Sequence, residues 1–198
     1  MKVHDMVVTG QQLTLSNLEV NILGPGAMLE RCDVYSDCAS AALVVAGLDM
    51  IEGSFTQRDR PLTEARFKRA HFSGVTFSGS FTDCDFGDWD APARPHVANC
   101  DFSEAKLDGC RFLHCDVDTI KFHKWPGFTL THPAAARDFV LARQWPAKVG
   151  MILDIYTDTD PECVAISGDG ARIAKKAGIS IAELCDLLQA IPGIRIVD

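Results

Sequence analysis

Eight cysteines and six histidines in 198 residues raise metal binding, disulfide exchange and cysteine–histidine catalysis as the first chemistries to test. Zinc sites draw on C-x-x-C pairs with further cysteines or histidines at matching intervals. No C-x-x-C pair exists here, and no histidine stands at a plausible ligand spacing, so no metal site is predicted. Cys115 follows His114 directly, but neighbouring residues of a strand point to opposite faces, which separates a nucleophile from its base. No Ser/His/Asp set and no paired carboxylates stand out, and neither a catalytic residue nor a cofactor is expected. Gly168-Asp169-Gly170 falls between a predicted strand and a predicted helix, where main-chain amides could cradle a phosphate. It lacks the third glycine of a dinucleotide fingerprint and the lysine of a P-loop, so a turn is expected; an enzyme, if there is one, would be sought there. Residues 173–184 carry the alanine, glycine and apolar spacing of a helix-turn-helix. The helix that would enter the groove offers Glu183, Asp186 and Gln189, with no lysine or arginine before Arg195. Carboxylates repel phosphates, and the formal charge of −8 points the same way, so no direct nucleic-acid binding is expected. The better candidate is Asp88-Trp89-Asp90, followed by Arg94 and His96. Tryptophan and arginine are the residue types that most often anchor interfaces, which makes Asp88, Trp89, Asp90 and Arg94 the predicted partner-binding residues. The competing role for Trp89 is a lid folded back over apolar surface.

These residues sit on a chain with a beat of five. Cys100-Asp-Phe102, Ala105-Lys-Leu107, Cys110-Arg-Phe112, Cys115-Asp-Val117 and Ile120-Lys-Phe122 repeat one arrangement: an apolar residue, a polar one, then an apolar residue that is bulkier in most units. Upstream, Ala65-Arg-Phe67, Ala70-His-Phe72 and Val75-Thr-Phe77 keep the interval; Gly79-Ser-Phe81 arrives one residue early, and Cys84-Asp-Phe86 resumes it. Cys32-Asp-Val34, Ala41-Ala-Leu43, Ala46-Gly-Leu48 and Gly53-Ser-Phe55 are rougher copies. A period of five suits neither a helix nor a flat sheet, but it suits a chain that turns a corner every five residues and so coils into a solenoid. Cys32, Cys84, Cys100, Cys110 and Cys115 all hold the small-residue position, where a free thiol packs as a small hydrophobe. Asp101, Lys106, Arg111 and Asp116 are predicted to point outward, and His71, His114 and His123 to lie at or beside outward positions.

The central units resemble the pentapeptide-repeat family, whose motif is roughly A-[D/N]-[L/F]-x-x. That resemblance implies a right-handed quadrilateral β-helix, with one repeat per face and four per coil. Phe102 and Phe122 would then lie on one face of adjacent coils, about 4.8 Å apart. Phe86 and Phe102 are out of step with the beat, and Pro92 and Pro95 lie between them, so residues 87–99 are read as a loop thrown out from the coil. Residues 56–63, with Arg58, Asp59, Arg60 and Pro61, form a second interruption.

The beat ends near Phe122. Thr131-His132-Pro133 reads as a helix start leading to about Gln144. Val149, Met151, Leu153 and Ile155 alternate, which favours a strand, with a helix including Ile152 and Tyr156 as the other possibility. A strand over 162–167, a helix over 171–177 closed by Gly178, a helix opened by the capping box Ser180 to Glu183, and a last strand over 194–197 complete the chain. The expected fold is mainly β: a coil over 1–124 with the loop 87–99 inserted, followed by a small α+β unit over 125–198 at one end of the coil. No charged flank with an apolar run opens the chain, and nothing approaches the ~18 apolar residues needed to span a bilayer, so a cytoplasmic location and no membrane contact are expected. The expected function is a non-catalytic scaffold, adaptor or inhibitor that binds a protein partner; neither that partner nor the oligomeric state can be named. The alternative, implied by the resemblance and the acidic charge, is a DNA-mimicking modulator of a type II topoisomerase.

Overall fold

The computed structural model describes residues 1–146 and 148–198. The chain is mainly β and winds into a β-solenoid of about five turns. In one ladder Lys2 pairs in parallel with Ile22, Asn21 with Leu43, Val45 with Phe67, Arg66 with Asp85, and Asp85 with Arg111. Successive turns therefore take 20, 22, 22, 19 and 26 residues. A second sheet is built on the long strands Ala27–Ser36 and Leu48–Gln57, which pair in parallel along their lengths. The parallel bridge between Asp101 and Lys121 places Phe102 beside Phe122 on adjacent turns, as the family resemblance implies.

The period has a local cause. Arg31, Glu52, Glu64, Arg69, Asp83 and Asn99 all carry a positive φ between 49° and 58°. One left-handed residue turns the corner, and the extended residues between corners place alternate side chains inside. The interior is a continuous column of rings. Phe77 stacks on Phe102 with centroids 4.4 Å apart, and Phe86 stacks on both Phe67 (4.9 Å) and Phe112 (5.1 Å). Cysteines fill the space beside the rings. Cys32, Cys84, Cys100, Cys110 and Cys115 each direct a thiol to a carbonyl of the preceding turn, on Val8, Leu62, Phe72, Phe81 and Phe86 respectively, at 3.2–3.5 Å. Burial pushes Cys100 up to about 11 and Cys110 above its ordinary value, so both stay protonated and unreactive.

The last turn is covered by Cys163–Asp169, which runs antiparallel to Cys110–Leu113 on one side and to Gly127–Thr131 on the other. Ala165 belongs to the solenoid core and its neighbour Ile166 to a second core, so one strand serves two interiors. The second core gathers Phe128, Leu130, Val140, Leu153, Tyr156, Leu184 and Leu188 from that sheet and from four helices. These are α1 (Pro133–Ala142), α2 (Val149–Thr157), α3 (Gly170–Ala177) and α4 (Ile181–Gln189). Ser180 caps α4 by accepting from the Glu183 amide at 3.1 Å, and Gly178 closes α3 in the left-handed region. Among the described residues no helix is long and apolar enough to cross a membrane.

Three expectations change. Residues 149–155 are helical, not a strand: Val149, Ile152, Leu153 and Tyr156 are buried, whereas Met151 and Ile155 are exposed. Apolar residues stand at 149, 151, 152, 153 and 155, so a period of two and one of 3.6 both find matches despite Asp154, and packing against α1 decides. The interruption over 56–63 shrinks to 58–61, because Thr56 and Gln57 finish a strand and Leu62–Thr63 pairs with Phe81 and Thr82. The loop over 87–99 ends at residue 96, because Val97–Ala98 rejoins the ladder opposite Phe72 and Ser73, with Val97 buried.

Candidate functional site

The loop 87–96 leaves the solenoid after Asp85–Phe86 and is tied down along its length. Arg94 forms an ion pair with Asp49 on the strand Leu48–Gln57. Nδ1 of His71 lies 3.0 Å from the Pro95 carbonyl, Nε2 of His114 lies 3.2 Å from the Trp89 carbonyl, and each donates to that oxygen. The His96 ring stacks on His71 with centroids 4.8 Å apart. Within the loop, the Asp88 carboxylate accepts the Trp89 amide at 2.8 Å.

Trp89 keeps 39% of its surface exposed and lies over the Arg111 guanidinium, 5.2 Å from its ring centroid. With Arg66, Lys68, Asp85, Gly87, Asp88, Arg111 and Leu113 it borders a cleft of about 330 Å³. The pairing register builds this cleft. Arg66, Asp85 and Arg111 each hold the outward middle position of a repeat unit, and the ladder stacks them side by side. Asp85 is buried between its neighbours, accepting from Nε and Nη2 of Arg111 at 2.7 and 2.9 Å and lying 3.0 Å from Nη1 of Arg66. These bonds raise the Arg111 pKa further above its ordinary value. One step along the strands, Gly87 lies between Lys68 and Leu113; a Cβ there would meet the Leu113 carbonyl at 2.3 Å, so the floor of the cleft is main chain.

Two of the four predicted residues, Asp88 and Trp89, line this cleft; Asp90 is exposed outside it, and Arg94 serves the loop anchor. The sequence reading missed Arg66, Lys68 and Arg111 as companions of Trp89. The signal for Arg66 and Arg111 is the shared middle position in Ala65-Arg-Phe67 and Cys110-Arg-Phe112, with Lys68 just past the first unit, but turn lengths of 19 and 26 residues are needed to align them. The acidic stretch around the loop is paired in part, while Asp83, Asp88, Asp90, Glu104 and Asp116 have no ion pair among the described residues. Besides Asp85, Asp101 faces Lys121, Asp108 faces Arg172, and Asp118 faces Arg195.

A larger cleft of about 500 Å³ lies between Ser103–Asp108 and residues 123–127, with Asp169 and Ala171 at its rim. Gly168-Asp169-Gly170 is not the turn expected there: Gly168 and Asp169 finish a strand, paired with Phe128 and Gly127, and Gly170 opens α3 directly. The Gly170 amide bonds to the Pro126 carbonyl, the Asp169 amide faces Asp108, and the Asp169 carboxylate caps α3 through the Arg172 amide. His123 is buried, against the outward position expected for it, because the chain turns inward after Phe122 to begin the covering sheet. Its Nδ1 accepts from the Leu107 amide at 3.3 Å while its Nε2 donates to the Phe128 carbonyl at 3.1 Å.

Both buried histidines are built as neutral rings. His96 donates from Nδ1 to the Ala70 carbonyl at 2.9 Å, and its Nε2 is buried with no partner. Burial lowers both pKa values below the ordinary 6.5. As the pH falls below 6.5, the unfolded chain takes up protons that the folded rings refuse. The stability held by the neutral rings is complete above about pH 7 and drains as the pH drops, until the folded rings themselves titrate. Urea midpoints measured between pH 7.5 and 5 should therefore fall, and His123→Gln should flatten part of the decline. A midpoint unchanged to pH 5 would contradict two buried neutral rings.

Comparison with protein-family models, with curated proteins and with solved structures finds no match to this chain.

Proposed function

We propose that this protein is a non-catalytic interaction scaffold that holds the 87–96 loop, with Trp89 as its anchor, against a protein partner. In this reading residues 1–124 form a right-handed quadrilateral coil of the pentapeptide-repeat type, and 125–198 form an α+β unit that closes its end. The pairings support the quadrilateral form by falling into four ladders, represented by Lys2 with Ile22, Val7 with Met28, Gln12 with Asp33, and Phe81 with Leu62. The observation that carries the function is the half-exposed Trp89 on a loop tied to the ladder by Arg94, His71 and His114. A large aromatic side chain already fixed in place loses little entropy on binding, which is the property of an interface anchor. The ring also rests on a guanidinium and not on the apolar column, which favours the anchor over the lid.

Capture of the partner by the immobilised chain tests this. Trp89→Ala should weaken capture about thirtyfold, the order of a hot-spot residue, while the melting temperature moves by no more than about 2–4 °C for the lost cation–π contact. A variant that melts early yet binds normally would make Trp89 a cover for the protein's own surface. The pairing of Asp85, Asp101, Asp108 and Asp118 with cations works against the DNA-mimic alternative, since a mimic needs free negative charge. Supercoiling by purified gyrase should accordingly be unaffected at micromolar protein, and inhibition there would favour the mimic.

A further inference from the structure

The cleft beside Trp89 has a chemistry of its own, and the argument about it rests on the reading that the 87–96 loop faces a protein partner. Three cations line it, Arg66, Lys68 and Arg111, against two carboxylates, Asp85 and Asp88. The cleft is thus locally positive in a chain whose formal charge is −8. Asp85 lies beneath the guanidinium groups, held by both, and the Asp88 carboxylate is turned to the Trp89 amide of its own loop. The guanidiniums keep donors beyond these bonds: Arg111 gives Nε and Nη2 to Asp85, and Arg66 gives only Nη1, shared between Asp85 and the Asp83 carbonyl. Lys68 is exposed, and its ammonium group has neither an ion pair nor a hydrogen bond among the described residues, its main chain alone being bonded in the ladder. Gly87 lets the main chain pack directly against the Leu113 carbonyl and the His96 ring, where a Cβ would stand 2.3 and 3.0 Å away, so that part of the cleft wall is main chain, and Trp89 borders the same cleft.

We propose that this cleft receives a carboxylate side chain from an acidic segment of the partner, held by Lys68 and the free edges of Arg66 and Arg111, with Trp89 packing against its methylene groups. Forked guanidinium donors match a planar carboxylate, and a volume of about 330 Å³ sits at the small end of ligand sites, the size of one side chain and its flanks. Arg66, Asp85 and Arg111 are fixed by the ladder, so the receptor exists before the partner arrives.

The test is 19F NMR on protein labelled with 5-fluorotryptophan, whose three tryptophans give separate signals, that of Trp89 assigned with Trp89→Phe. At low salt, a hexaglutamate peptide should move the Trp89 signal alone and saturably, and hexaglutamine should leave it in place. Lys68→Gln, which spares the Asp85 clamp, should weaken the response about two- to fivefold, the worth of one exposed charge pair, and 0.5 M (about half-molar) salt should suppress it. Lys68→Glu should reduce it further. The inference is overturned if the signal does not move, if hexaglutamine moves it equally, if Lys68→Glu has no effect, or if inorganic phosphate alone moves it as strongly as hexaglutamate. A still Trp89 signal, together with partner capture that depends on Trp89, would discard the acidic specificity and leave the docking loop standing; failure of both would discard the loop as well.

Discussion

Phe86→Ala is expected to lower the unfolding free energy by about 3–5 kcal/mol, the range for removing a fully buried ring. Phe86, like Phe77, meets five other rings of the column. It stacks on Phe67 and Phe112 and meets Phe77, Phe81 and Phe102 edge-on, with centroids 5.1–5.7 Å away. The tube cannot collapse into the vacancy, because its walls are parallel ladders whose spacing is set by main-chain hydrogen bonds. A loss of this size is a large share of the 5–15 kcal/mol that typically separates folded from unfolded chains. Because each turn touches only its neighbours, the damage should spread along the axis from residue 86, and the fluorescence of Trp89 should change before the helical signal does. Urea unfolding followed by both probes measures this. A loss below about 1 kcal/mol would mean that the site repacks freely, contrary to a rigid tube.

Gly79→Ala should be at least as damaging, about 3 kcal/mol or more, with loss of soluble protein as the extreme outcome. Gly79 has φ +95°, and a Cβ on it would stand 2.0 Å from the Gln57 carbonyl oxygen and 2.9 Å from its carbon. Conformational strain alone accounts for about 1–3 kcal/mol; the remainder comes from forcing apart two turns of the ladder. The strand Thr76–Thr82 would have to leave its register with Leu48–Gln57 or with Asp101–Asp108. Gly74→Ala is the control, since its nearest neighbour would be 3.6 Å away. Equal circular-dichroism melts for the two variants would show that contact with Gln57 is not what requires glycine at residue 79. The same glycine explains why Gly79-Ser-Phe81 arrives one residue early: a corner this tight needs a backbone without a Cβ.

Much of this was legible in the residues. The spacing of Phe102, Phe112 and Phe122 placed them inside a coil, and the cysteines at the small-residue positions followed them there. Proline at 133, serine at 180 and glycine at 178 marked helix ends correctly, because caps are decided within a turn of chain. Residues 149–155 were not legible: apolar residues at 149, 151, 152, 153 and 155 match two periods, and only the neighbouring helix selects one. Val97 and Ala98 were taken for loop because they fall outside the five-residue beat, yet Phe72 and Ser73 on the turn below offer them a ladder.

The candidate site divides in the same way. Trp89 stood out by residue type, but the cations around it come from units 19 and 26 residues apart. By itself the sequence determined the solenoid, its interior and the helix ends at Pro133, Gly178 and Ser180, since each rests on intervals of a few residues that act through sterics and hydrogen bonds close by. Tertiary structure alone decided which charges share a cleft, which acids are neutralised and which histidines are buried. Those outcomes depend on the length of every turn between them, and that length is set by where each inserted loop rejoins the ladder.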